Sequence, residues 1–351
     1  MRLFLFPFSL ALHLALFFRH LCYDLSVLKS KAYNLPLIGV GNLNLGGTGK
    51  TPTVEYLVRL LSPEYHVAIL SRGYKRKRKG VFVLEKDTKA DEAGDESRQY
   101  KLKFPDLQVA VAENRNKGMQ LLLGLNPPPS VVLLDDVFQH RAIKPGLNIL
   151  LTDYHKLYPD DYLIPAGNLR DTRYAAKRAD VIVVTKTPAI LSPYVKEEII
   201  STIKPGLHQK VFLSYLEFTN PYAIGSPSKP KALKEVSSIL LVTGIANPYP
   251  LLEHLRRKCT DLFHKSFSDH HTFKEKDVLD IRKTFEHIIG RNKIIVTTEK
   301  DAARLLDSPY FSLIEDLPVL VQPVRMAFHP SEYGSFDQTI LNYVRKAAAN
   351  R

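Results

Sequence analysis

The sequence predicts an α/β fold in which buried strands alternate with helices and form two domains. Three observations support this. Apolar runs rich in Val, Ile and Leu recur along the chain, with helical patterns after some of them. A glycine-rich segment separates one such strand, 35–40, from a helix, 51–61. A stretch rich in Pro, Ser and Gly at 225–230 predicts a domain junction, and a second set of strands and helices follows it.

The composition is that of an ordinary globular protein with an excess of positive charge. The 351 residues are 45% hydrophobic and 24% charged, which suits about two domains. The net charge of +13 favours an anionic partner, such as a phosphate-bearing substrate, an acidic membrane surface or a nucleic acid. Cys22 and Cys259 are the only cysteines, so there is no disulfide framework and no zinc-type spacing. This is typical of a reducing compartment.

The N-terminal segment is apolar and predicts contact with a membrane. Residues 3–18 contain no charged residue, and Arg2 and Arg19 flank them. At ~1.5 Å per residue, a helix of this length is shorter than the ~30 Å hydrocarbon core of a bilayer. The segment also lacks the small-residue cleavage site of a signal peptide. We predict a helix that lies in or dips into one leaflet, with a buried core helix and a weak transmembrane anchor as alternatives.

The segment between strand 35–40 and helix 51–61 predicts a phosphate-binding loop. Its glycines let the backbone approach an anion, and the helix N-terminus adds partial positive charge. Lys50 can reach the β- and γ-phosphates of a nucleotide, and the Thr51 hydroxyl can ligate Mg²⁺. Asn44 stands where the general G-x-x-x-x-G-K-[ST] pattern has its first glycine. The predicted ATP-binding residues are Asn44, Leu45, Gly46, Gly47, Thr48, Gly49, Lys50 and Thr51.

Charged residues follow two later strands of the first domain, where open α/β sheets bind ligands. Asp135 and Asp136 end the apolar run 131–134 and resemble a Walker B pair, whose carboxylate positions Mg²⁺. A basic run, 75–79, follows strand 65–70. That run is either a solvated loop or a surface for phosphates.

Two further pairs of charged residues remain open to two interpretations. Asp95 and Glu96 follow Gly94, and they either cap a helix or supply a carboxylate that accepts a proton from an attacking hydroxyl. Arg170 and Asp171 either contact phosphate and metal or form a surface ion pair of little energetic weight.

The second half of the chain predicts a smaller α/β unit. Its strands are expected at 239–242 and 294–298, with a helix at 250–258. A late strand, 318–324, is expected to pair with strand 211–218 and form a two-stranded connector between the domains.

A polar segment of the second unit contains Asp269, His270 and His271. Adjacent histidines point in different directions, so a metal site is less favoured than a histidine oriented by a carboxylate. An exposed polar loop is the alternative.

Taken together, these motifs resemble those of one family. The shared segments are VGNL at 40–43, GGTGKTP at 46–52, SRGY at 71–74, GDE at 94–96, DDVFQHR at 135–141, PAGNLR at 165–170, DHH at 269–271 and TEKD at 298–301. In this order they are similar to tetraacyldisaccharide 4′-kinases, the lipid A 4′-kinases of Gram-negative bacteria. The resemblance spans residue 1 to about 330.

The resemblance implies a P-loop NTPase-type α/β/α sandwich and a smaller α/β domain joined to it by a two-stranded β linker, with an N-terminal apolar helix. The implied segments are a membrane-associating helix at 1–33, the kinase domain at 34–218, the smaller domain at 219–335 and a C-terminal helix at 336–351. The implied reaction uses ATP and Mg²⁺ to phosphorylate the 4′-hydroxyl of tetraacyldisaccharide 1-phosphate at the cytoplasmic face of the inner membrane. No nucleic acid and no obligate protein partner are implied.

The resemblance also implies roles for individual residues. Asp95 matches the general base, and His270 matches the histidine that supports it from the second domain. The other implied positions are Lys50 and Thr51 for phosphate and metal, Asp135 and Asp136 for metal, and Tyr74, Glu96, Arg115, Gln139 and Arg170 for substrate or phosphate. Asp171 stands where the family has Glu, so its implied metal role depends on a carboxylate one methylene shorter.

Two other functions share some of these features. A P-loop ATPase acting as a switch or partition protein would need the loop and Asp135, but neither an apolar N-terminus nor His270. A basic nucleic-acid-binding module would explain the charge, but the sequence has no RNP, zinc-finger or KH motif.

Overall fold

Two β-sheets covered by helices form the protein. The computed structural model describes residues 5–227, 229, 236–332 and 334–349. In chain order the described strands are β1 (Leu37–Asn42), β2 (Val67–Ser71), β3 (Phe82–Val83), β4 (Gln108–Val111), β5 (Val131–Asp135), β6 (Leu147–Asp153), β7 (Val181–Thr185), β8 (Lys210–Phe218), β9 (Tyr222–Ala223), β10 (Ser238–Thr243), β11 (Asp261–Ser266), β12 (Lys293–Thr298), β13 (Val319–Gln322) and β14 (Val324–Phe328).

The α-helices lie between these strands and at both ends of the described chain. They are α1 (Phe6–Asp24), α2 (Lys50–Leu61), α3 (Ala90–Ala93), α4 (Asp95–Lys103), α5 (Arg115–Leu123), α6 (Pro193–Ile203), α7 (Tyr249–Arg256), α8 (Glu275–His287), α9 (Glu299–Leu306) and α10 (Ser335–Ala349). Apart from the late strand 318–324, the predicted strands and helices are confirmed, with small shifts at their ends.

The large sheet has the order β14-β8-β7-β6-β1-β5-β2-β4-β3, and all its pairings are parallel except those of the edge strands β14 and β3. Every residue of β1, β2 and β5 is buried. Continuous apolar strands of this kind are typical of a parallel sheet covered on both faces. β1 lies between β5 and β6, so the loop after β1 leaves the carboxyl edge beside the end of β5.

Two adjacent chain segments connect this sheet to the smaller one, whose order is β11-β10-β12-β13-β9. The first runs from β8 to β9 and the second from β13 to β14. β8 pairs with β14 in the large sheet and β9 pairs with β13 in the small sheet, and both pairings are antiparallel. The two-stranded linker is therefore confirmed, but the predicted pairing of 318–324 with 211–218 is wrong. Residues 319–322 pair within the small sheet, and 324–328 pair with β8. Pro323 between them has no N–H to continue a ladder, and the chain changes sheet there.

The sheets place two chain segments differently from the sequence prediction. Tyr222 already pairs in the small sheet, so the chain crosses before the predicted junction at 225–230. Residues 228 and 230 of that junction lie outside the described part of the chain. β14 and α10 return to the large sheet, although the sequence predicted a second domain reaching 335. Phe336, Ile340 and Val344 of α10 are fully buried in the core beside α2.

The N-terminal helix is longer than predicted and is attached to the large domain along one face. α1 has 19 residues and a mean hydropathy of 1.2, so by length and composition it can cross a membrane. At ~1.5 Å per residue it is ~28 Å long, close to the ~30 Å hydrocarbon core, so the length argument against a membrane span no longer applies. Ser9 and His20 are buried against the domain, and Leu12 and Leu16 pack on its core.

The interface between the two units contains a buried cluster of charge. Lys103 of α4 donates to Glu55 of α2 at 2.6 Å and also forms an ion pair with Glu299 of α9. The Tyr222 hydroxyl donates to Glu299 at 3.4 Å. Burial, together with the nearby Glu55 carboxylate, raises the pKa of Glu299 to about 7.

This raised pKa predicts a pH-dependent stability. Between the ordinary pKa of 4.5 and about 7, the folded protein keeps a proton on Glu299 that the unfolded chain has released. The free energy of unfolding therefore falls as the pH rises through this window. We expect Glu299→Gln to reduce that fall, measured as unfolding temperature against pH. Glu64→Gln, in an exposed pair with Arg345, is the matched control. An unchanged pH dependence in Glu299→Gln would contradict the assignment.

Candidate active site

The phosphate-binding loop follows β1 and ends at the first residue of α2. Gly49 is the N-cap of α2 and has φ +82°, a left-handed conformation that favours glycine. Gly46 and Gly47 face open space, since a Cβ at either position would meet nothing within 4 Å. An anion can therefore approach the backbone of this loop closely. Thr185 at the end of β7 supports the loop by donating to the Thr48 carbonyl at 2.9 Å.

The start of the loop is fastened to a neighbouring segment. The Asn44 side chain donates to Asp161 at 3.0 Å, and the Leu45 N–H donates to the Asn168 carbonyl at 2.7 Å. The Leu45 N–H is therefore used within the protein, and the place of Leu45 among the ATP-binding residues stays a prediction. Asn44 in place of the first glycine serves this attachment.

Lys50 and Arg170 converge on the end of β1 and on Asp136. Lys50 Nζ lies 3.2 Å from Asn42 Oδ1 and 3.6 Å from Asp136 Oδ1. Arg170 donates to Asp136 Oδ2 at 3.0 Å and to Asn42 Oδ1 at 2.5 Å. These two cations outweigh the effect of burial and hold the pKa of Asp136 well below its ordinary value. Asp136 is therefore a carboxylate between two cations at the carboxyl edge of the sheet.

Asp135 lies deeper and is electrostatically different. Its side chain is 4% exposed, and its Oδ1 has no hydrogen-bond partner among the described residues. Burial, reinforced by the neighbouring Asp136, raises the pKa of Asp135 to about 6. Ser71 donates to its Oδ2 at 3.3 Å.

Arg115 and Gln139 bond backbone carbonyls at the ends of the strands that form the site. Arg115 is buried and donates to the backbone carbonyls of Ala112 at 2.6 Å and Asp135 at 3.2 Å. Burial lowers its pKa to about 10. Gln139 donates to the Asn42 carbonyl at 2.9 Å. In this structure both side chains bond backbone carbonyls at strand ends, and their implied substrate or phosphate roles stay predictions.

Asp95 meets His270 across the boundary between the two units. Asp95 is the first residue of α4, and its Oδ2 lies 2.7 Å from His270 Nδ1. Arg304 of α9 donates to the same oxygen from Nη2 at 2.6 Å and from Nε at 3.0 Å. Burial acts to raise the pKa of Asp95, but Arg304, then His270 and Lys300, lower it overall. His270 has φ +61°, an uncommon conformation for a non-glycine residue.

Two glycines bring the neighbouring loops together at this point. Gly94 has φ +89°, and a Cβ there would lie 3.0 Å from the backbone of both Gly73 and Tyr74. The SRGY and GDE segments can approach so closely only because neither glycine has a side chain. As a result, the Tyr74 ring lies edge-on to His270, with ring centroids 5.8 Å apart.

The structure distinguishes the two adjacent histidines. His271 bonds Asp277 at 2.8 Å and stacks on Phe267 within its own unit. His270 alone of the pair reaches Asp95. Glu96 lies 3.5 Å from Lys300 Nζ, and Lys300 also contacts His270 Nε2 at 3.2 Å. The predicted choice of His270 over His271 agrees with this geometry.

The structure contradicts the predicted metal role of Asp171. Its side chain is completely buried; Oδ1 bonds His20 Nε2 at 2.7 Å and Oδ2 accepts from Arg178 at 3.2 Å. The Thr172 N–H also donates to Oδ1 at 2.8 Å. Both oxygens are therefore bound by protein groups, and Asp171 anchors α1 to the large domain.

The basic run 75–79 is only partly a solvated surface. The Arg76 side chain is 3% exposed, donates to the Gly80 carbonyl at 2.6 Å and pairs with Glu113. Lys77 pairs with Asp91 at 3.0 Å in an exposed position. The two interpretations of the run treated its five residues alike, but Arg76 and Lys77 have different partners and different exposure.

Sequence reasoning missed Asn42, Lys300 and Arg304. Asn42 ends β1 and is bonded by both cations of the site. Lys300 and Arg304 are spaced i, i+4 on α9, so they lie on one helical face. That spacing begins inside the TEKD segment and could have been noticed in the sequence, although the sequence alone did not show that this helical face meets Asp95.

The fold and the site define a class of protein. A parallel sheet with a glycine-rich loop before α2, a Lys-Thr pair at the helix start and a carboxylate pair at the end of the neighbouring β5 are the features of a P-loop phosphotransferase. Asp95 of the large unit and His270 of the second unit form a separate polar site across the boundary, where a carboxylate can accept a proton.

Comparisons with known proteins identify the family. The family described as Tetraacyldisaccharide-1-P 4′-kinase matches residues 1–345. The tetraacyldisaccharide 4′-kinase of Bacteroides thetaiotaomicron is 40% identical over 99% of this chain and 94% of its own length. That of Flavobacterium johnsoniae is 41% identical over 99% of this chain and 98% of its own. The crystal structure of LpxK from Aquifex aeolicus in complex with ATP has a TM-score of 0.75 and 30% identity, covering 98% of this chain and 99% of that one.

This chain therefore belongs to the tetraacyldisaccharide 4′-kinase family, as the sequence motifs indicated. It is an enzyme of the kinase class, and the switch or partition ATPase is not favoured.

Proposed function

We propose that this enzyme transfers the γ-phosphoryl group of ATP to the 4′-hydroxyl of tetraacyldisaccharide 1-phosphate in lipid A biosynthesis, with Asp95 as general base. The observation that carries the assignment of the base is the pairing of Asp95 with His270 at 2.7 Å, between a kinase-type loop and a second unit. The family relationship supports the reaction and the substrate.

Lys50 and Arg170 would neutralise charge on the transferring phosphoryl group. Both are fixed at the carboxyl edge of the sheet by Asn42 and Asp136, so little reorganisation is needed when a phosphate arrives. Gly49 and the first turn of α2 would supply backbone donors and the helix dipole, while the Thr48 N–H donates to the Gly46 carbonyl at 3.1 Å within the loop.

The residues around Asp135 fit Mg²⁺. A buried carboxylate oxygen without a partner, as at Asp135 Oδ1, is unfavourable unless a cation or water satisfies it. No group of three or more His, Cys, Asp or Glu side chains that could hold a metal occurs among the described residues. Mg²⁺ is commonly held by one or two carboxylates together with substrate phosphates and water. Thr51 and Asp135 would hold the ion, which when bound would neutralise charge on the β- and γ-phosphates.

Asp95 would accept the proton of the 4′-hydroxyl as that oxygen bonds to phosphorus. His270 and Arg304 fix the carboxylate, and its lowered pKa keeps it ionised at neutral pH. A weakly basic carboxylate is sufficient when the transition state is loose, because the hydroxyl proton is then transferred late. Since Asp95 and His270 belong to different units, closure of the units would complete the site.

We also propose that α1 holds the enzyme on the cytoplasmic face of the inner membrane, where its lipid substrate lies. Leu10, Leu14, Phe17 and Leu21 have i, i+4, i+7, i+11 spacing and form one exposed stripe of α1. The opposite face is bonded to the large domain through His20 and Asp171. An amphipathic helix of this kind lies in the interface, with its apolar face in the acyl region.

This membrane role predicts a change in vesicle binding. We expect Leu14→Ser with Phe17→Ser to lower co-sedimentation with phosphatidylethanolamine and phosphatidylglycerol vesicles several-fold, because exposed apolar area is lost while the docked face remains. Ile289→Ser is the control, since Ile289 is 94% exposed on the small unit. Equal binding of the two variants would show that another surface is the anchor.

The function is tested by incubating the enzyme with ATP, Mg²⁺ and tetraacyldisaccharide 1-phosphate in detergent micelles. We expect mass spectrometry to detect one added phosphate, with ADP formed in equal amount. ATP hydrolysis without a phosphorylated lipid would favour an ATPase and contradict the proposal.

A further inference from the structure

Arg304 has a geometry that the general-base proposal does not by itself explain. Its guanidinium is buried, with the side chain 6% exposed, and it belongs to α9 in the small unit. Nε and Nη2 both donate to Asp95 Oδ2, at 3.0 and 2.6 Å. A planar guanidinium that directs two donors at one carboxylate fixes both its position and its ionisation.

The small unit holds this guanidinium in place. Nη1 of Arg304 donates to Asp301 Oδ1 at 2.9 Å and to the Gly244 carbonyl at 3.1 Å. Asp301 is itself fully buried, and accepts from the Gly244 N–H at 2.9 Å and from Thr298 Oγ1 at 2.7 Å. The small unit therefore orients Arg304 through Asp301 and Gly244, without any help from Asp95, and the contact with Asp95 depends on the position of that unit.

Lys300 and His270, the other two polar groups near Asp95, have different contacts from Arg304. Lys300, one turn earlier on α9, lies 3.2 Å from His270 Nε2 and is shared with Asp269 and Glu96, each 3.5 Å away. His270 donates to Asp95 from Nδ1 when its Nε2 accepts from Lys300. Arg304 is the fixed cation in direct contact with the Asp95 oxygen.

We propose that Arg304 is a positioning residue that holds Asp95 ionised and aimed at the acceptor hydroxyl only when the small unit is closed. This inference rests on the proposed role of Asp95 as base. When the small unit closes over the site, Arg304 would therefore also fix the Asp95 carboxylate in place. The contacts described for Arg304 do not include Lys50 or the phosphate-binding loop, which form the nucleotide site.

A second ion pair across the same helices provides a matched control. Arg98 of α4 pairs with Asp307, immediately after α9, at 2.9 Å, and both side chains are about as buried as Arg304. Arg98 contacts neither Asp95 nor His270 among the contacts described for it. If α4–α9 pairs act only as a structural clamp, Arg98→Gln and Arg304→Gln should have similar effects.

The experiment measures kcat, the KM for ATP and the pH dependence of kcat/KM for the lipid. Variants are Arg304→Gln, Arg304→Lys, Arg98→Gln and Asp95→Asn. For Arg304→Gln we expect kcat to fall about 10- to 100-fold, by analogy with the loss on removing a hydrogen-bond partner that orients a metal ligand. The KM for ATP should stay near the wild-type value. The acid limb of the pH profile of kcat/KM, where activity rises as Asp95 loses its proton, should move to higher pH, because loss of Arg304 raises the pKa of Asp95.

Arg304→Lys keeps the charge but loses the forked pair, so its acid limb should lie between those of wild type and Arg304→Gln. If Arg304→Gln does not fold, the comparison of Arg304→Lys with wild type decides. An unmoved acid limb in the folded Arg304 variants, or the same shift in Arg98→Gln, overturns the inference. Near wild-type turnover of Asp95→Asn would instead overturn the proposed base itself, so the two failures are distinguishable.

Discussion

Lys50→Ala is expected to lower kcat by about 10²-fold or more, the scale seen when one preorganised donor to a developing charge is removed. Lys50 Nζ is held by Asn42 and Asp136 at the mouth of the loop, so its charge is in place before phosphate binds. Without it, the charge that builds on the γ-phosphoryl oxygens has one fewer fixed counter-charge. Initial rates of formation of the phosphorylated disaccharide lipid at saturating ATP would measure this fall in kcat.

Two further variants separate charge from shape in this prediction. Lys50→Met keeps most of the side-chain stem and should be as inactive as Lys50→Ala. Lys210→Ala removes a lysine at the amino end of β8, on the opposite edge of the sheet, and should leave kcat unchanged. A folded Lys50→Met enzyme with near wild-type turnover would contradict the assignment of the phosphate-binding loop.

Asp95→Asn is expected to lower kcat by ~10²–10⁴-fold, the usual contribution of a general base. Asparagine keeps the size of the side chain but cannot accept the hydroxyl proton. ATP affinity should change little, because the bonds printed for Asp95 go to His270 and Arg304, while Lys50 and the loop keep their own contacts. Single-turnover kinetics together with ATP titration would measure both quantities.

The control for Asp95→Asn is Asp91→Asn, which removes a carboxylate one turn upstream. Asp91 belongs to α3 and pairs with Lys77 at the surface, away from His270 and Arg304. Its kcat should match wild type. A large loss of ATP affinity in Asp95→Asn would indicate that the residue acts through nucleotide binding instead of through the acceptor hydroxyl.

Much of this architecture could be predicted because local patterns were strong. Apolar strands such as 181–185 and the loop around Lys50 depend on short-range sequence, and the structure has them where the pattern places them. The strand pairing around Pro323 was mispredicted because either flanking run could continue a sheet, and only tertiary packing decides which.

The site was harder to predict than the fold because its contacts join distant parts of the chain. Asp171 looked like a metal ligand by its place beside Arg170, but it is bound by His20 and Arg178. Arg304 was not predicted as a site residue, and it contacts a carboxylate 209 positions earlier in the sequence. Sequence spacing contains no information about which helical face meets which loop across two units.

The central claim is that Asp95 and His270, which belong to different units, act as one catalytic pair. The most direct test is a double-mutant cycle of kcat for Asp95→Asn, His270→Ala and the double variant, with phosphorylated lipid as the readout. Groups that act as a unit are non-additive, so the double variant should lose much less than the product of the two single losses. Fully multiplicative losses would mean that the two residues act independently and would contradict the pairing seen at 2.7 Å.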